Sequence, residues 1–95
     1  MDDLQIIWDM EDDEEGNYWH IVVEGHDLTQ DEVEEVLRDR NNPVDVSRSS
    51  GQPIVFGWTS TGRHIAVVFE NVSDDPRIVY PITAYEVPEQ GRGKP

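Results

Sequence analysis

Cysteine is missing from this 95-residue chain, and lysine is nearly so, with Lys94 its single example. No disulfide framework, thiolate nucleophile or cysteine-ligated metal site is therefore open to it. Long apolar runs are lacking too. The opening MDDL is neither basic nor apolar, and no stretch approaches the roughly 20 apolar residues of a membrane span, so neither a secretion leader nor a transmembrane helix is expected and the expected setting is cytoplasmic. Glycine-rich phosphate cradles and nucleophile elbows are also absent, which excludes the nucleotide-binding and hydrolase classes that announce themselves by motif. The length suits one domain with a single two-layer core, a sheet with helices on one face.

Basic charge is scarce against 21 Asp and Glu, giving a formal net charge of −14. Its placement is uneven: residues 1–40 hold 15 acids and two bases, whereas residues 41–95 hold six acids and five bases. Nucleic-acid affinity comes largely from Lys and Arg neutralising phosphates, so direct DNA binding is not expected. Such a charge fits a basic protein partner, mimicry of nucleic acid, adaptation to high salt, or plain solubility.

The chain is organised around Pro53 to Glu70, two apolar runs that read as a β-hairpin turning within Thr59 to Gly62. A period of two groups Ile54, Phe56 and Trp58 on one face, and Ile65, Val67 and Phe69 on one face; the reading joins Phe56, Trp58, Val67 and Phe69 in a core covered by helices. Ahead of it, Leu4 to Trp8 suits a strand. A first helix is expected from near Asp12 through Glu24, with a strand at 18–23 as the alternative, since Ile21, Val22 and Val23 are β-branched. Thr29 to Arg40 is a second helix, opened by a Thr29–Glu32 capping box and a Leu28–Val33 staple, and ended by Asn41, Asn42 and Pro43. Val44 begins like a strand that becomes a Ser- and Gly-rich connection. Arg77 to Val87 reads as a further strand with Ile78, Tyr80, Ile82 and Ala84 on one face, in which Pro81 demands an edge or a bulge. The expectation is thus one α+β domain over residues 1–87, an N-terminal strand and two helices packed on a three- to four-stranded antiparallel sheet, followed by a disordered tail at 88–95.

The order Trp8-Asp9, Asn17, His20, the helix Asp31 to Leu37, then Gly57, Ser60, Gly62 and Arg63 leading into Ile65 to Phe69 resembles the BrnT-like toxins, which share the RelE-type fold. The resemblance spans residues 4–86. It implies a toxin component of a type II toxin–antitoxin system, a metal-independent endoribonuclease that acts on RNA and is neutralised by an antitoxin protein. Three departures bear on activity rather than fold: the charge of −14 where such toxins are basic, Thr83-Ala84-Tyr85 in place of a Ser-Ala-Arg segment, and Pro88 where a basic helix follows in the family.

Metal-free RNA cleavage needs a base for the 2′-hydroxyl, an acid for the leaving oxygen and a cation for the phosphorane charge. By the resemblance, Arg63 is the candidate cation, set against the plainer reading of a strand-start arginine paired with an acid. His20 is the candidate for proton transfer, or else a packing and hydrogen-bonding residue. His64 adjoins Arg63 but points to the other side of the strand, as an ordinary sheet residue does. Tyr85, standing where the family has arginine, can donate a hydrogen bond to phosphate but carries no permanent charge. His20, Glu24, His26 and Asp27 have spacing compatible with a metal, but so acidic a chain produces such spacing by coincidence, and the reading assigns no metal and no cofactor.

Overall fold

The computed structural model describes residues 4–25 and 27–88. Five strands form one mixed sheet: β1 (Gln5–Ile6), β2 (Val44–Val46), β3 (Pro53–Trp58), β4 (His64–Asp74) and β5 (Arg77–Glu86), ordered β1-β5-β4-β3-β2. Strands β2 to β5 run antiparallel to their neighbours, and β1 adds in parallel to β5. The α+β class stands, but the sheet is larger than expected because the N-terminal strand joins it instead of packing apart from it. No helix among the described residues is long and apolar enough to cross a membrane.

One α-helix, α1 (Gln30–Arg38), covers one face. Its start follows the local chemistry read above: Thr29 accepts from Glu32 N, and the Glu32 carboxylate accepts from Thr29 N, which satisfies two of the helix's orphan donors. Val33, Val36 and Leu37 are buried along one stripe, and each such side chain contributes about 1.5–3 kcal/mol by leaving water. They meet Val55, Ile65, Val67, Phe69, Val79 and Ala84 of the sheet in the main core, joined by Leu4, Ile21 and Leu28.

The first helix differs from expectation. Residues 11–15 form turns, and helical backbone begins only at Asn17, widening into a π-helical segment, Trp19–Val23, closed by the bond from Glu24 N to Trp19 O; the strand alternative is not adopted. Asn17 supplies the reason. It is 3% exposed; its Oδ1 accepts from Asp9 N at 2.8 Å, its Nδ2 donates to Ile7 O and Pro81 O at 2.9 Å, and its backbone N–H donates to the Asp9 carboxylate at 2.9 Å. These bonds close the acidic loop into a ring that no helix could span. Gly16 is required there, because a β-carbon on it would stand 2.5 Å from Asp9 Cβ.

The hairpin's faces are also corrected. Ile54 pairs with Val68, Val55 with Val67, Phe56 with Ala66 and Trp58 with His64, and directly opposed residues share a face. Ile54, Phe56 and Trp58 therefore lie away from α1, while Val55 joins Val67 and Phe69 beneath it. The cause is loop parity. Five residues, Thr59 to Arg63, separate the last pair, and Gly62 takes the positive φ of 91° that the turn needs. Pairing Phe56 and Trp58 with Val67 and Phe69 would need an even-numbered loop, since slipping one residue exchanges faces.

In β5, Pro81 falls at a bulge: Val68 pairs with Thr83 and Phe69 with Pro81, leaving Ile82 extra. Tyr80, paired with Glu70, and Ile82 face away from α1. Ala84 does not share their face as the unbroken alternation implied; it is shifted into the helix-side core.

Candidate functional site

Glu32 and Glu35 of α1 hold the hairpin loop. Glu32 Oε2 accepts from Thr61 Oγ1 and lies 3.7 Å from Arg63 Nε, and Glu35 accepts from Ser60 N at 2.9 Å. Burial pushes the Glu32 carboxyl up. The hydrogen bonds from Thr61 and Thr29 and the Arg63 charge outweigh it, so the group lies below its ordinary value. Arg63 Nη1 also donates to Asp27 O at 3.0 Å. Arg63 thus sits where the plainer reading put it, paired with an acid and tying α1 to the loop.

His64 stacks on Trp58 with ring centroids 4.7 Å apart, on the face away from α1. His20 projects from the π-helical segment, its Nε2 3.2 Å from Thr83 Oγ1 and its Nδ1 3.7 Å from Glu24. Tyr85 is exposed opposite Ala66. Among the described residues no hydrogen bond, ion pair or ring contact joins any two of Arg63, His20, His64 and Tyr85. Nor is any group of three or more described His, Asp or Glu side chains arranged to hold a metal; His26 lies outside the described residues, as does the tail from residue 89.

The sheet face opposite α1 is the larger feature. No helix of the described chain covers it, yet it carries a second apolar cluster, Ile54, Ala66 and Val68 with Phe56, Ile82 and Val87 against them. Trp58 is 55% and Tyr85 41% exposed at its margin. A groove of about 380 Å³ opens between Tyr85 and the β2–β3 connection, floored by Ile54 and Phe56 and flanked by Asp45 and Arg48. By register Asp45 opposes Ile54 and Glu70 opposes Tyr80, so carboxylates stand on this same face. At its β5 end the acidic loop is pinned by Tyr80, whose hydroxyl donates to Asp9. The hydrogen bond from Tyr80 and that from Asn17 hold the Asp9 carboxyl below its ordinary range, and the same bond, with burial, raises Tyr80 to about 12.

Sequence reasoning missed this face because it placed Trp58 in the core. The signal was present in the odd number of residues between Trp58 and His64, but choosing the loop's ends requires knowing that Glu32 and Glu35 grip it. Comparison of the chain with family models, curated proteins and solved structures gave no match.

Proposed function

We propose that this protein is a non-catalytic binding module that docks a basic, amphipathic segment of a partner protein on the sheet face opposite α1. The observation that carries the reading is the exposure of Trp58 and Tyr85 beside a second apolar cluster on a helix-free face. Trp and Tyr are the residues that most often anchor interfaces, and stacking on His64 fixes the Trp58 ring in advance. Charge selects the occupant: carboxylates at Asp45 and Glu70, and the net −14 of the whole chain, attract Lys and Arg flanking an apolar stripe and repel nucleic acid. The test is titration of the ¹⁵N-labelled protein with a Leu- and Lys-rich amphipathic helical peptide. Shifts should map to residues 45–58, 64–70 and 80–87, and Trp58→Ala should weaken binding about tenfold or more. Shifts confined to the acidic loop, or no effect of Trp58→Ala, would count against this face.

A second reading, a BrnT-like toxin of RelE-type fold with an antitoxin as its partner, draws support from the element order: strand, helical turn, capped helix, then four antiparallel strands with Arg63 at the hairpin tip. It expects growth arrest on expression and metal-independent RNA cleavage that Arg63→Gln abolishes while the circular-dichroism spectrum still shows a folded protein. The separation of its four candidate residues ranks it below the binding reading.

A further inference from the structure

On the other side of the molecule, where α1 ends, a surface hollow of about 190 Å³ is floored by Leu37, Val55 and Phe69 and walled by Asp39, Arg40 and Arg77. We infer that this hollow is a binding site for a small zwitterion with an apolar side chain, of the class of the free branched or aromatic α-amino acids. The floor is built of three side chains no more than 5% exposed, so it offers a fixed apolar surface. Its size lies below the 300–1,000 Å³ of sites for drug-sized ligands, which restricts it to a metabolite of a few heavy atoms.

The walls set the charge. Among the described residues, Arg38 is paired with Glu34 and Arg63 with Glu32, whereas the guanidinium groups of Arg40 and Arg77 have no hydrogen-bond or ion-pair partner, Arg77 entering the β4–β5 ladder only through its backbone opposite Asp74. Asp39 lines the same hollow and is not paired with either arginine; its Oδ1 accepts only from the nearby Asn41 N. Opposite charges therefore share one hollow without neutralising each other. A simple anion entering it meets Asp39 and the negative C-terminal end of α1. A simple cation meets two guanidinium groups. A molecule carrying both signs satisfies both walls, its carboxylate taking charge-assisted hydrogen bonds from Arg40 and Arg77 and its ammonium donating to Asp39.

The experiment is a titration of the ¹⁵N-labelled protein with L-leucine, L-leucinamide, N-acetyl-L-leucine and glycine, followed at residues 37–44, 55, 69 and 77. Leucine should give saturable shifts in the millimolar range or below. Each of the other three, lacking the carboxylate charge, the ammonium charge or the apolar side chain, should bind about tenfold or more weakly, as expected when one charge-assisted contact or the burial of an apolar side chain is lost. Arg77→Gln should bring leucine and leucinamide together, and Asp39→Asn, which keeps an Oδ1 for Asn41, should bring leucine and N-acetyl-leucine together. No saturable response to leucine, or analogues that bind as well as leucine does, would overturn the assignment. Since Trp58 lies on the opposite face of the sheet from Val55 and this hollow, Trp58→Ala should leave the leucine response unchanged, separating this site from the docking face.

Discussion

Tyr80 and Asp9 share one hydrogen bond whose two ends titrate at opposite extremes of pH. The phenol raised from 10.0 to about 12 is held neutral by the fold, so its contribution is complete below about pH 10 and is lost as pH rises from 10 to 12. The carboxyl lowered from 3.8 works in the other direction: its contribution is present above that value and is lost as pH falls through the folded-state pKa. Both groups are partly exposed, so solvent screening keeps the bond near the low end for charge-assisted contacts. Tyr80→Phe should cost about 1 kcal/mol at neutral pH. Urea titrations at pH 7, 10 and 12 should also find the variant's alkaline loss of stability smaller than the parent's; an equal loss would place its source elsewhere. Apolar residues divide by face. Ile65→Ala should cost about 2–5 kcal/mol, as large-to-small changes do in a closed core, while Trp58→Ala should stay within about 1 kcal/mol because more than half of its surface is already in water.

At the scale of elements, the contact between α1 and the β3–β4 loop decides which face of the hairpin becomes core. Glu32 serves two structures at once, closing the capping box with Thr29 and accepting from Thr61 of the loop. A double-mutant cycle of Glu32→Gln with Thr61→Val should give a coupling of about 1 kcal/mol or more in denaturant titrations. Additivity to within about 0.3 kcal/mol would mean that the hydroxyl–carboxylate contact contributes nothing to the register. This contact also explains what could be read from sequence and what could not. The start of α1 was legible because Leu28, Thr29, Glu32 and Val33 lie within six residues and act locally. Pro81 announced an edge or a bulge because a missing N–H is a property of one residue, and with β5 inside the sheet the bulge is what forms. The faces of β3 were not legible: Ile54, Phe56 and Trp58 alternate as well as any core strand, and only a loop of five residues, gripped from a helix about 25 positions earlier in the chain, turns them outward. The π-helical segment was hidden for a similar reason, since it depends on Asn17 reaching Asp9 and, across 64 residues of sequence, Pro81 O. Of the candidate site, Arg63 beside an acid was legible; Trp58 as an exposed anchor was not, because it inherits the error in the faces.

At the scale of the whole molecule, charge is the property least absorbed by the fold. Residues 11–15 are all exposed, and the 15 acids of residues 1–40 face only two bases in that segment. The chain folds to a radius of gyration of 13.4 Å, comparable with the Debye length of about 10 Å at 0.1 M salt and far above the 3 Å reached at 1 M. At low salt the acids therefore repel one another across the molecule, and at 1 M they do not. Raising NaCl from about 0.01 to 1 M should increase the thermal midpoint by several degrees, since 1 kcal/mol corresponds to about 4–8 °C in a domain of this size. KCl should act alike, because the effect is screening and needs no particular cation. Replacing Asp12, Asp13 and Glu14 by Asn, Asn and Gln should reduce the increase. The substitution at 13 preserves the side-chain oxygen that accepts from Glu15 N, so a smaller salt response would reflect charge and not a lost turn. A midpoint that stays flat or falls in both salts would mean that the acids are paired or too distant to matter. The docking face would then lose the electrostatic argument for a basic occupant, though not the apolar one that rests on Trp58 and Tyr85.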